Sequence, residues 1–258
     1  IDRKGEISSV FDDSLNVSNR LVRLATFGNK NKASYRNLVD TLGFSIDFDG
    51  VDETKIDNVI EAIDKGLLLR PTAITNSGNG LHFHYALNRP INTGKAFFGY
   101  ESDHKTDRNN IIYCTKSILN ILYTLILVPE VLVKTTENVK TLNIVQGFRA
   151  PGSLSKMLLP VKSYCTNSFY DIEDLVNWSL KTIKRYSNIS KVLETKYNNN
   201  ITQAFLNEDF DGTITNKAEL RQCFDDAIKC GLINKKLLSH GSDKRILDDI
   251  ELLLDSRR

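Results

Sequence analysis

The sequence predicts a mixed α and β (α+β) fold, and three observations carry that reading. The stretch Gly43-Phe44-Ser45-Ile46-Asp47-Phe48-Asp49-Gly50 alternates like a strand. It sets Phe44, Ile46 and Phe48 on one face and Ser45, Asp47 and Asp49 on the other. Residues 72–87 read as strand, Gly-rich turn and strand. Between these stretches, Ile56, Val59, Ile60, Ile63 and Leu67 recur at helical spacing.

The chain has 258 residues, room for one large domain or two small ones. Its 41% hydrophobic and 26% charged residues suit an ordinary globular protein. Lys and Arg number 34 against 32 Asp and Glu, a net of +2, so any surface for nucleic acid must be local. The apolar run Ile118 to Val133 is broken by Asn120, Tyr123, Thr124, Pro129 and Glu130. It is too short to span a bilayer and reads as a buried helix followed by a strand. There is no signal or transit segment, so the expected location is cytoplasmic (intracellular), with no membrane partner. The first residue is Ile rather than Met, which suggests a fragment of something longer. Cys114, Cys165, Cys223 and Cys230 show no paired spacing and read as ordinary thiols, neither zinc site nor disulfide framework.

In chain order, residues 1–20 are polar and uninformative. Leu21 to Phe27 is strand-like. Tyr35 to Leu42 reads as a short helix stopped by Gly43. After the Asp47 strand, Asp52 to Leu69 reads as an amphipathic helix closed by Pro71. In the following hairpin, Leu81, Phe83 and Tyr85 share one face and His82, His84 and Ala86 the other. Asn109 to Leu127 reads as a buried helix in which Tyr113 and Tyr123 pack. A strand over residues 141–148 delivers Arg149 to a Pro151-Gly152 turn, with Lys156 beyond it. Asp171 to Tyr186 is a helix with acidic residues at its start and basic ones at its end. Tyr197 to Asn200 is a linker. Asn216 to Gly231 and Ser242 to Leu254 are further helices, the first capped by Asn216 or Thr215. Asp209-Phe210-Asp211-Gly212 repeats the letters of Asp47 to Gly50 but lacks apolar strand flanks, and reads as a loop.

Three of these stretches can carry chemistry. Asp47 and Asp49 on one strand face repel each other unless a cation lies between them, and hard divalent ions want such oxygen ligands. The same letters also describe a solvated strand edge. Gly78 and Gly80 expose backbone N–H groups that can hold an anion beside His82; the alternative is a plain hairpin with a half-exposed His pair. Arg149 and Lys156 suit phosphate, or are solvated charges on a turn. His82-Phe83-His84, with Tyr113-Cys114-Thr115-Lys116, also resembles the metal-binding pair and tyrosine motif of the HUH replication endonucleases. That match leaves the Asp47 and Asp49 strand unexplained.

Taken in order, Asp47-Phe-Asp49, then Ser77-Gly-Asn-Gly-Leu-His82, then Gln-Gly-Phe-Arg149-Ala-Pro-Gly-Ser-x-x-Lys156 resembles the archaeo-eukaryotic primase superfamily. It is most similar to the primase–polymerases of phages, plasmids and other mobile elements, across about residues 40–160. The resemblance implies an RNA-recognition-motif-like antiparallel sheet with a small α/β unit over residues 1–170, then a small helical domain over 171–258. It implies a DNA-dependent nucleotidyltransferase that makes or extends primers from nucleoside triphosphates on a single-stranded DNA template, with Mg²⁺ or Mn²⁺. Asp47 and Asp49 would be metal ligands, with Glu137 as third carboxylate and Glu130, Asp103 and Asp107 as the other candidates. Ser77, Asn79, His82, Arg149 and Lys156 would bind nucleotide, and a fused or separate helicase would be a partner. His84 has no fixed role there and either packs or faces substrate. Two alternatives stand beside this reading: an HUH-type nickase using His82, His84 and Tyr113, and a non-catalytic DNA-binding replication initiator.

Overall fold

Two long strands fix the architecture: β3 (Leu38–Asp49) and β5 (Gly80–Asn92), paired antiparallel. The computed structural model describes residues 21–28, 38–49, 56–76, 80–92, 146–155, 158–208 and 211–231. The remaining described elements are β1 (Leu21–Val22), β2 (Ala25–Phe27), α1 (Ile56–Asp64), β4 (Ala73–Asn76), β6 (Phe148–Arg149), β7 (Lys162–Cys165), β8 (Phe169–Tyr170), α2 (Ile172–Tyr197), α3 (Ile201–Asn207) and α4 (Lys217–Lys229). The larger sheet runs β2-β3-β5-β4-β7 with antiparallel neighbours, and β8 joins β5 in parallel. A second sheet pairs β1 with β6 antiparallel. The fold is therefore mixed α+β with antiparallel sheets. In the run β3-α1-β4-β5, the last strand lies between the first two.

The period-two pattern sets what each face buries. Phe44, Ile46, Leu81, Phe83 and Tyr85 are all 5% exposed or less. Phe44 stacks on its register partner Tyr85 with ring centroids 4.9 Å apart, and Tyr85 Oη donates to the carbonyl of Leu69. This apolar face belongs to one core cluster that continues through Ala62 and Leu68, then Leu180 and Ile183 of α2, Phe205 of α3 and Phe224 of α4.

Several sequence expectations are corrected. The short helix expected up to Leu42 is strand over its described residues. Thr41 pairs with Ala25 on one side and Ile91 on the other, and Thr26 Oγ1 donates to Asp40 Oδ2 at 2.9 Å. Partners on both flanks satisfy the backbone, and the β-branched Val39 and Thr41 suit a pleated surface. Gly43 is not a helix stop but a mid-strand crossing. A Cβ there would lie 2.1 Å from the Tyr85 carbonyl oxygen, beside a register shift between Thr41 and Gly43. Leu21 to Phe27 is two short strands in different sheets rather than one. Helix α1 ends at Asp64, short of Leu69, where Gly66 turns the chain at φ 70°. Ile60, expected on its apolar face, is 45% exposed.

Helix α2 runs eleven residues past the expected end at Tyr186, to Tyr197. Ile189 and Leu193 continue its buried stripe at helical spacing. At its start Asp174 accepts from the Asp171 N–H at 3.0 Å. Asn198, in the left-handed conformation, ends it. Asn200 then caps α3 and Asn216 caps α4, accepting from the N–H of Gln203 and Glu219. Of the Asp209 to Gly212 stretch read as a loop, Asp211 and Gly212 lie between α3 and α4 without regular structure, and Asp209 and Phe210 lie outside the described residues. Cys165, Cys223 and Cys230 are free thiols. Among the described residues no helix is long and apolar enough to cross a membrane. The expected helices over Asn109–Leu127 and Ser242–Leu254, with Tyr113 and Cys114, lie outside the described residues.

Candidate active site

The face of the larger sheet opposite the core is polar, and its registers line up across four strands. Asp47 of β3 pairs with His82 of β5, His82 with Thr75 of β4, and Thr75 with Ser163 of β7. One step along, Ser45 pairs with His84 and His84 with Ala73. The side chains connect along these rows. His82 Nε2 lies 3.3 Å from Asp47 Oδ1. His84 Nδ1 is 2.7 Å from Ser45 Oγ, and its Nε2 is 3.1 Å from Thr75 Oγ1. Thr75 Oγ1 is in turn 2.7 Å from Ser163 Oγ.

The two histidines differ in what they still offer. Both ring nitrogens of His84 are engaged by hydroxyls. Burial pushes its pKa down from 6.5 to about 3; the nearby His82 acts the same way and Asp47 opposes it. His84 is therefore a neutral bridge. His82 is buried, yet its Nδ1 has no hydrogen-bond partner among the described residues. Asp47 Oδ1 is likewise buried without one, so its approach to His82 is an ion-pair contact lacking hydrogen-bond alignment. Buried polar atoms left unsatisfied are uncommon and costly. Here two of them belong to facing residues, while the Asp47 side chain as a whole is 24% exposed.

Phe148 of β6 covers this face. Its ring meets His82 edge-on at 5.2 Å and His84 at 5.6 Å between centroids, and the two imidazoles are 6.0 Å apart. The three rings form a mutually perpendicular cluster that ties the small sheet to the large one. Arg149 follows Phe148 and falls on the other face of β6 by strand alternation. The Pro151-Gly152 turn beyond it is built as expected: Ser153 N–H and Oγ both donate to the Ala150 carbonyl, with Gly152 at φ 77°.

Of the residues singled out from sequence, Asp47 and His82 are brought together, and Arg149 lies one residue from the ring that touches His82. The backbone of Asp49 pairs with Gly80 two positions from the Asp47 pair. Ser77, Asn79, Lys156, Glu137, Glu130, Asp103, Asp107 and Tyr113 lie outside the described residues. Among the described residues no group of three or more His, Cys, Asp or Glu side chains is placed to hold a metal ion. Sequence reasoning missed Thr75, Ser163 and Phe148. Alternation from the hairpin turn gave a signal for Thr75, which falls opposite His82; nothing in the sequence marked Ser163.

No family model matches the chain, and no curated protein matches it. Among solved structures the chain is similar to the AEP domain of the Cyanophage S-2L primase–polymerase (PrimPol), at 12% identity and a TM-score of 0.37. That likeness covers 60% of this chain and 67% of the other. Identity and TM-score at that level are too low to carry a function, so the polar sheet face has to carry it.

Proposed function

We propose that the chain is the catalytic part of a DNA-dependent nucleotidyltransferase, a primase–polymerase that makes or extends primers from nucleoside triphosphates on single-stranded DNA. The observation that carries this reading is the Asp47–His82 pair, a carboxylate and an imidazole facing each other across two strands with unsatisfied buried atoms. The β3-α1-β4-β5 run supports the RNA-recognition-motif-like core. Division into a catalytic part to residue 170 and a helical part beyond it belongs to the same proposal, as do replication of a mobile element and a helicase partner.

A divalent cation fits the donor chemistry, since an orphaned carboxylate oxygen is a hard ligand. Asp47 and Asp49, with Glu137 as third carboxylate, would hold it. Bound there, Mg²⁺ or Mn²⁺ would lower the pKa of a primer 3′-hydroxyl and neutralise triphosphate charge. The chain's own groups do the rest. His82 presents a ring N–H to a phosphate oxygen. Arg149 and Lys156 offset the charge that builds on the leaving pyrophosphate. Ser77 and Asn79 would help hold the nucleotide. The β3–β5 register holds Asp47 and His82 in place before substrate arrives, so little reorganisation of that pair is needed at the reacting centre.

The nickase alternative requires His82 and His84 to ligate one metal together. His84 would have to give up its bond to Ser45 or Thr75 to free a nitrogen, which counts against that reading. One experiment separates the readings. Wild type, Asp47→Ala/Asp49→Ala and Tyr113→Phe are incubated with single-stranded template, labelled nucleotides and Mg²⁺ or Mn²⁺, scoring both extension and cleavage. Extension lost in the Asp double variant and kept in Tyr113→Phe supports the polymerase. Cleavage with a covalent protein–DNA adduct, lost in Tyr113→Phe, establishes the nickase. DNA binding with neither activity points to the initiator.

A further inference from the structure

His84 is a partly buried group that the proposed reaction does not use. It stands in the middle of a hydrogen-bonded chain, Ser45–His84–Thr75–Ser163, with one residue from each of β3, β5, β4 and β7. Ser45 is 3% exposed and Thr75 is fully buried, so the two hydroxyls that clamp the imidazole are themselves fixed by the sheet. A neutral imidazole carries one donor and one acceptor, and the flanking hydroxyls satisfy either tautomer. The clamp therefore sets the plane of the ring in both. That plane is one wall of the three-ring cluster. Phe148 lies edge-on to His84 and edge-on to His82, so the tilt of His84 limits where Phe148 sits, and Phe148 in turn limits the rotation of His82. His82 Nδ1 has no hydrogen-bond partner among the described residues to hold its ring. Its orientation rests on packing and on the 3.3 Å approach to Asp47.

We propose that His84, clamped by Ser45 and Thr75, is a positioning residue that holds the His82 ring in its reactive orientation through Phe148. This rests on the nucleotidyltransferase reading of Asp47 and His82. It explains why a histidine with no free nitrogen sits beside the candidate phosphate-binding histidine: the ring is wanted for its shape and for two hydrogen bonds at once. A leucine would keep the volume and lose both bonds. A glutamine amide offers one acceptor and one donor group, and can keep them.

The test compares His84→Leu and His84→Gln with wild type in three measurements: thermal unfolding, the His82 imidazole ¹³C–¹H resonance in histidine-labelled protein, and the kcat and nucleotide KM of primer extension. The expected result is a His84→Leu protein that still unfolds cooperatively but has a displaced or broadened His82 resonance. Its kcat falls by about 10-fold to 100-fold, the scale of a small misplacement of a reacting group. His84→Gln returns both readouts most of the way. The proposal is overturned if His84→Leu keeps the wild-type His82 resonance and kcat, or if Gln rescues neither. Should His84→Leu fail to fold, Thr75→Val removes the Nε2 partner with a near-isosteric side chain and is read in the same way. If wild type itself shows no extension dependent on Asp47, the nucleotidyltransferase reading fails. The His82 resonance then still decides whether His84 orients its neighbour.

Discussion

Asp47 Oδ1 and His82 Nε2 lie 3.3 Å apart across the β3–β5 register, and neither Asp47 Oδ1 nor His82 Nδ1 has a hydrogen-bond partner among the described residues. The two residues are held by backbone pairing rather than by each other. Removing either should therefore leave the sheet intact and remove function. Asp47→Asn, which keeps the shape and removes the charge, should lower the extension kcat by on the order of 10²–10³-fold. The circular dichroism spectrum should stay unchanged. Single-turnover extension at saturating nucleotide measures this, and an Asp47→Asn protein as active as wild type would remove Asp47 from the reaction.

The partly buried, neutral His84 makes stability depend on pH. In the unfolded chain it titrates near 6.5, and in the fold only near about 3. Between those values the unfolded state binds a proton that the native state does not, so stability falls as pH falls through that window. Going from about pH 7 to about pH 5, His84 alone should cost about 2 kcal/mol, roughly 1.5 pH units at 1.36 kcal/mol each. Urea unfolding of wild type and His84→Gln at both pH values checks this. The variant should lose about that much less than wild type on acidification, and equal losses would show that His84 is protonated in the fold.

The strand with Asp47 and the hairpin with His82 were legible because a period-two alternation of large apolar residues survives even when one face is functional. Phe44, Ile46, Phe83 and Tyr85 wrote the core face, and whatever lay between them had to be the other face. The helix expected before Gly43 was misread because residues 38–42 owe their conformation to partners at Ala25, Thr26 and Ile91, which no local window contains. The end of α2 was placed too early for a related reason. Beyond Tyr186 the helix carries Ser187 and Ser190, whose hydroxyls are taken up within the fold: Ser187 Oγ donates to Asp226 of α4 and Ser190 Oγ to the carbonyl of Ser187. The site was half legible. Asp47 and His82 stood out by residue type, whereas Thr75, Ser163 and Phe148 acquire meaning only from register and from the packing of one sheet on another.

Gly43 should not tolerate a side chain. An added Cβ would meet the Tyr85 carbonyl oxygen at 2.1 Å and the Ala86 Cα at 3.0 Å, both backbone atoms of the paired strand that cannot swing aside. Gly43→Ala should therefore destabilise by about 3 kcal/mol or more, the upper end of overpacking costs. Because the strain falls between β3 and β5, the Asp47–His82 pair should be disturbed as well. Chemical denaturation gives the stability loss. A Gly43→Ala protein within about 0.5 kcal/mol of wild type would mean that the strands are further apart here than described.

Tyr186 offers the opposite kind of change. Its ring is fully buried in the core cluster, edge-on to Phe205 with centroids 5.5 Å apart. Its hydroxyl has no hydrogen-bond partner among the described residues, and burial pushes its pKa well above the usual tyrosine value. A buried hydroxyl without a partner carries a desolvation cost of about 1–3 kcal/mol, which phenylalanine does not incur. Phenylalanine also keeps the ring contact, and the space left by one oxygen is too small to cost as much as the hydroxyl did. Tyr186→Phe should therefore stabilise the protein by about 1 kcal/mol, a rise of about 2–4 °C in Tm. Extension activity should be unchanged, because the helix core is separated from the polar face by the thickness of the sheet. Differential scanning calorimetry checks the sign. A fall in Tm would show that the hydroxyl is bonded after all.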